Sequence, residues 1–197
     1  MTRAVLLLVL CAAWLPAAAQ SQLTNTQMVA AATRALPDEY REGAEVRKWS
    51  EDGPETIRFG SNGMICLADD PSDDRFHVAC YQESLEPFMA RGRELREMGL
   101  DRDSLQAVRE SEAASGKIKM PDHPAALYSL SGPADSFNPE TEEVVGANPL
   151  YVVYIPYATA ESTGLPTQAP RGQPWIMNPG KPWAHIMLIP PAPDEDN

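Results

Sequence analysis

Basic residues are scarce in this 197-residue chain: 16 Lys and Arg stand against 28 Asp and Glu, a formal net charge of −12. A surface of that sign repels phosphate backbones and anionic headgroups, which argues against nucleic acid or a lipid surface as partner. No apolar run reaches the roughly 20 residues that a bilayer-spanning helix needs. The longest, Ala4 to Ala19, is sixteen residues. Only three cysteines occur, none in Cys-x-x-Cys spacing, so the usual redox motif is missing. Glycine-rich phosphate loops, a dinucleotide fingerprint, Gly-x-Ser-x-Gly and Ser-x-x-Lys are all absent. There is no internal repeat. Hydrophobic residues at 43% and charged residues at 22% nevertheless describe an ordinary folding chain, long enough for one domain with a real core.

The first residues carry an address. Arg3 precedes the apolar run, Pro16 breaks it, and Ala17-Ala18-Ala19 meets polar Gln20-Ser21-Gln22. A positive start, an apolar centre and a small-residue end make a secretory signal peptide over residues 1–19, cleaved near Ala19–Gln20, so the mature protein is expected to be secreted or periplasmic. Cys11 sits after bulky Leu10 within the apolar run, unlike a lipidated cysteine, and reads as part of the signal core. The mature chain then holds only Cys66 and Cys80, in an oxidising compartment. Met64–Ala68 and Phe76–Tyr81 are strand-like runs around the acidic link Asp69-Asp70-Pro71-Ser72-Asp73-Asp74. A hairpin symmetric about residue 73 sets the two cysteines opposite each other at a cross-strand distance of about 4.5–5.5 Å, which a disulfide tolerates.

The rest of the chain, 20–191, reads as a single α+β domain: an antiparallel β-sheet, two or three helices and one disulfide-closed hairpin, with an acidic disordered tail at 192–197. Helices are expected at 24–36, at 85–98 with Ser84 as N-cap and Gly99 as stop, and at 103–115 ending at Gly116. In the second, Leu85, Phe88, Met89, Leu95 and Met98 form the apolar face, and Arg91, Arg93, Glu94, Arg96 and Glu97 a solvated one. The third has a thin apolar stripe, Leu105 and Val108, and is placed on the surface. Strands are expected at 46–49, 56–59, 126–130, 150–157, 175–177 and 183–189. Asn62-Gly63 is a strong hairpin signal, suggesting an antiparallel meander, and Asn178-Pro179-Gly180-Lys181 suits a type II turn. The segments 132–148 and 158–172 are long connections.

Gly60-Ser61-Asn62-Gly63-Met64-Ile65-Cys66, Gly164-Leu165-Pro166-Thr167 and Gly180-Lys181-Pro182-Trp183-Ala184-His185 together resemble a group of uncharacterised secreted bacterial proteins. In that group G-[ST]-N-G-x-x-C precedes a second cysteine, and G-L-P-T precedes a G-x-P-[WY]-A-H ending. The resemblance implies secretion and the paired cysteines, and no activity.

Chemistry has few places to sit. His77, His123 and His185 are the only histidines, and no His-x-His, His-x3-His or Glu-x-x-His spacing forces them together as a metal site. The four aspartates of residues 69–74 lack the order of a calcium loop and read as a solvated acidic loop. The C-terminal aromatics remain: Tyr154, Trp175, Trp183 and, on the same expected strand face, His185. They form either sheet core or a surface for an apolar or sugar-like ligand. The leading expectation is an exported binding or interaction domain for a small ligand or protein partner, without catalysis or cofactor. The alternative is an exported hydrolase or metal-dependent enzyme using His123 or His185 with a nearby acid such as Asp122.

Overall fold

The computed structural model describes residues 23–169 and 172–190; the expected signal peptide, Cys11 and the acidic tail lie outside the described residues. Helix α1 (Asn25–Thr33) opens on a capping box, in which Thr24 Oγ1 accepts from Gln27 N and Gln27 Oε1 accepts from Thr24 N. Its alanines, Ala31 and Ala32, are fully buried and let the helix approach the sheet closely. A single turn, α2 (Asp38–Arg41), leads to the hairpin of β1 (Glu45–Ser50) and β2 (Gly53–Arg58). Strand β3 (Met64–Leu67) and the long β4 (Arg75–Gln82) then form the cysteine hairpin.

Here the expected meander fails. Asn62-Gly63 does not join β2 to β3 as a hairpin, because β3 lies on the other side of β1 and runs parallel to it. Residues 59–63 cross beneath the start of β1. Ser61 N and Asn62 N both donate to Gly43 O, at 2.7 and 3.2 Å, and Asn62 Nδ2 donates to Tyr40 O at 2.7 Å. Gly60 makes the crossing possible, since a Cβ there would stand 2.4 Å from Glu45 N. Pro54 in β2 lacks a ladder donor and suits an edge strand, so β2 ends the sheet instead of continuing it. The crossing also sets Cys66 beside Val46, and both are buried under α1.

After a 3₁₀ turn at Glu83–Leu85 come α3 (Glu86–Glu97) and α4 (Arg102–Ala114). Ser84 is not the N-cap of α3. It lies inside the 3₁₀ turn, whose cap is the Gln82 side chain accepting from Ser84 N. Gly99 and Gly116 stop the helices as expected, each with φ near +80°. The chain continues through β5 (Ala125–Pro133), a small ribbon of β6 (Phe137–Asn138) and β7 (Glu143–Val144), β8 (Asn148–Tyr154), the single turn α5 (Ala160–Thr163), β9 (Trp175–Met177) and β10 (His185–Leu188). The main sheet has eight strands in the order β2-β1-β3-β4-β5-β8-β10-β9, antiparallel except at β1/β3. Among the described residues α1, α3 and α4 are the expected helices, and α2 and α5 add four-residue turns. Asn178–Lys181 forms the type II-like turn, with Gly180 at φ 77° and Lys181 N donating to Asn178 O.

Alternation along β4 explains the layering. Phe76, Val78 and Cys80 face α1, with Val46, Cys66, Ala31 and Leu36 in one core. His77, Ala79 and Tyr81 face the other way, where α3 and α4 pack on Ile65, Tyr81, Val152 and Tyr154 through Leu85, Phe88 and Ala113. Cys66 and Cys80 are registered partners, disulfide-bonded with Cα atoms 3.9 Å apart and fully buried beneath α1. Helix α4 is not simply a surface helix: Leu105 and Ala113 are buried, and Arg91 of α3 grips Glu112 with Nε and Nη2 at 2.7 and 3.0 Å.

Candidate functional site

The two helices cover only part of their face of the sheet. Between them and the uncovered strands lies a cleft of about 780 Å³, within the size range of small-molecule sites. Its floor is apolar, built from alternate strand positions: Leu67, Leu127, Leu150, Val152 and Met187, with the buried Ser129 among them. Its wall is Met89, Gly92, Arg93 and Arg96, which recur at i, i+3, i+4 and i+7 along α3 and therefore share one face. Arg109 reaches the same wall from α4.

Arg93 was expected on a solvated face, but its side chain is 10% exposed. It donates to Glu86 Oε1 at 2.7 Å and to the Tyr81 hydroxyl at 3.1 Å. Glu86 also accepts from Tyr81 O–H and from Arg47 Nη1, at 2.6 Å for the latter. Burial first, and then the Glu86 carboxylate, push the Tyr81 phenol far above its usual range against the opposing pull of Arg93. Met98, expected on the apolar face, is 69% exposed because α3 ends at Glu97 before another turn can cover it.

Arg109 differs from its neighbours. Its guanidinium carbon stands 3.4 Å above the Phe88 ring centroid. A Cβ on Gly92 would lie 3.0 Å from Arg109 Nη1 and 3.1 Å from Cζ, so the missing side chain of Gly92 is the space the guanidinium occupies. Arg109 Nε is buried with no hydrogen-bond partner, and among the described residues neither Arg109 nor Arg96 is ion-paired. Desolvation lowers the Arg109 pKa to about 10, and Arg96 and Arg93 act in the same direction. It remains a cation at neutral pH.

His185 is buried at the cleft edge, its ring 5.0 Å from that of Tyr154. Nδ1 is 2.8 Å from Trp183 O. A carbonyl only accepts, so Nδ1 carries the proton and the neutral ring offers Nε2 as an acceptor. Burial lowers the His185 pKa and raises that of the Tyr154 phenol. His77 also lines the cleft, with its pKa lowered by desolvation first and by Arg75. Nearby, the acidic loop is shaped by its own side chains: Asp69 Oδ1 accepts from His77 N at 2.7 Å, and Asp70 Oδ1 from Ser72 N at 2.9 Å.

The four aromatic-face residues divide between cleft and core, although the Trp183 ring still stands 6.3 Å from that of His185. Tyr154 and His185 line the cleft, whereas Trp175 and Trp183 are buried outside it. Trp183 precedes the strand instead of belonging to it, and packs 5.9 Å from Phe88 with its indole N–H unpartnered. The histidines separate too. His77 and His185 line the cleft, while His123 is exposed on a loop with Nδ1 2.8 Å from Asp122 Oδ1. Among the described residues no three His, Cys, Asp or Glu side chains converge as a metal site. Sequence reasoning missed Arg93, Arg96 and Arg109; the available signal was Gly92, a glycine inside an otherwise good helix. Compared with known proteins, no family model, no curated protein and no solved structure matches this chain, so its cleft has to be read from its own chemistry.

Proposed function

We propose that this chain is an exported binding domain that holds a small organic ligand in the cleft between the sheet and α3–α4, without catalysis. The observation that carries the reading is the cleft itself: an apolar floor with a few polar groups, Ser129, Tyr154, His185 and Arg109, placed around it. Export is supported by the N-terminal apolar run and by a buried disulfide, which persists in oxidising compartments. Among the described residues no helix is long and apolar enough to cross a membrane.

The hydrolase reading has less support. A nucleophile needs a base within hydrogen-bond reach. Ser129 registers with Leu150 and His185 with Tyr154, four residues further along β8. At about 3.3 Å per residue that separates hydroxyl and imidazole by more than 10 Å. Asp122 and His123 are in contact, but they are 94% and 56% exposed side chains on a loop outside the cleft.

The test is a fluorescence titration of the exported full-length product with N-phenyl-1-naphthylamine, a neutral apolar probe. Saturable one-site binding that disappears in Ser129→Trp, with an unchanged far-UV circular dichroism spectrum, is the expected outcome. Equal binding by the folded variant overturns the assignment of the cleft.

A further inference from the structure

The geometry points to an apolar organic acid as the occupant of this cleft, its carboxylate held edge-on by the Arg109 guanidinium and its hydrocarbon body lying on Leu127, Leu150 and Val152. This deepens the binding reading above and rests on it.

Three observations meet at Arg109. The first is charge without compensation. The chain carries 28 acidic residues, yet none of those described pairs with this largely buried arginine, and the other cations that act on it, Arg96 and Arg93, carry the same sign. Buried cations ordinarily keep a carboxylate partner, and Arg93, one helix away, has one in Glu86. The second is orientation. Phe88 occupies the face of the guanidinium, which leaves the in-plane N–H groups for another acceptor. A flat fork of donors matches the two oxygens of a carboxylate. The third is Gly92. Glycine weakens a helix interior relative to alanine, and the structure gives its position one evident use: the guanidinium occupies the space a side chain would fill. An unpaired cation on α4, packed against a glycine that weakens α3, costs the fold more than its stacking on Phe88 returns; an anionic ligand would complete the arrangement.

The rest of the cleft divides the ligand into two parts. Most of the strand residues that form the floor, Leu67, Leu127, Leu150, Val152 and Met187, are apolar, so they favour a hydrocarbon or aromatic body over a phosphorylated or sugar one. The acids that line the cleft, Asp70, Asp73 and Glu97, come from the loop before β4 and from the last turn of α3. None is ion-paired to Arg109, so the cation faces the ligand unneutralised.

The experiment compares decanoate with decanol by isothermal titration calorimetry on the exported full-length protein at neutral pH, below the aggregation limit of either. The two probes share a chain and differ in the head group. Decanoate is expected to bind about ten- to a hundredfold more tightly, the usual effect of charge-assisted hydrogen bonds. Arg109→Met should bring decanoate down to the affinity that decanol has for the same variant, and an unchanged far-UV circular dichroism spectrum reports that the fold is kept. Gly92→Ala retains the charge but crowds the guanidinium, and should remove much of the same preference. Equal affinities in the unmodified protein, or a preference that survives Arg109→Met, overturn the anionic-ligand inference and leave the binding reading standing. Binding of neither probe overturns both.

Discussion

Replacing Arg109 by methionine should make the protein more stable. Desolvation lowers the guanidinium pKa from the ordinary arginine range to about 10. At about 1.4 kcal/mol per unit, this corresponds to about 3 kcal/mol against the folded cation. Stacking on Phe88 returns about 1–2 kcal/mol of that. Methionine retains an unbranched stem and a favourable sulfur–aromatic contact without the charge. The net expectation is a gain of about 1–2 kcal/mol, or a rise of about 2–8 °C in melting temperature for a chain of this size. The sign with pH follows from linkage. A base whose folded pKa is depressed carries its penalty wherever both states are protonated, here below about pH 10, and loses it only as the pH rises from there into the ordinary arginine range. The gain should therefore be constant around neutrality. Urea denaturation followed by circular dichroism and by tryptophan fluorescence would measure it. If Arg109→Met instead loses about 1 kcal/mol or more, Arg109 is a structural pillar and the trade of stability for binding, common at ligand sites, does not apply to it.

Three other outcomes are expected. Changing both Cys66 and Cys80 to alanine, which opens a link of 14 residues, should cost about 3 kcal/mol by the loop-entropy estimate, and an unchanged denaturation midpoint would contradict it. The melting temperature should be highest above pH 6.5 and fall as the pH drops through that value, because the unfolded imidazoles of His185 and His77 accept protons there while the folded ones resist; His185→Phe should flatten part of this slope, and an unaltered slope would remove His185 as its source. Gly60→Ala places a methyl group against the Glu45 backbone nitrogen and should cost about 2 kcal/mol or more, of the size measured for overpacked sites; wild-type stability by urea titration would show that the crossing loop can move aside.

The cysteine hairpin was legible because its information is local. Two strand-like runs and an acidic link set the register, and Cys66 meets Cys80 as the symmetric pairing requires. The helix stops at Gly99 and Gly116 are equally local, since only a positive φ ends each helix there. Asn62-Gly63 misled for the opposite reason. A hairpin signal reports that the chain can turn, and cannot report which edge of the preceding hairpin is open; Pro54 and the Gly43 carbonyl decided that in three dimensions. The aromatic face divided in the same way. Period-two alternation grouped Trp183 with His185, and their rings do stand 6.3 Å apart, but the strand starts at His185 and Trp183 also packs on Phe88, outside the cleft lining.

The charged stripe of α3 shows the boundary most sharply. Its amphipathic spacing was visible, but which polar residues face water depends on how far the neighbouring elements extend. The sheet is wider than the two helices that cover it, so Arg93 and Arg96 look onto strands, and Arg109 arrives from a helix whose position the sequence does not reveal. Near neighbours suffice for the disulfide pair, the helix stops at Gly99 and Gly116, the alternation along β4 and the α+β class. The strand order and the cleft belong to the folded chain, because both arise from surfaces distant in sequence whose contact energies no local pattern contains.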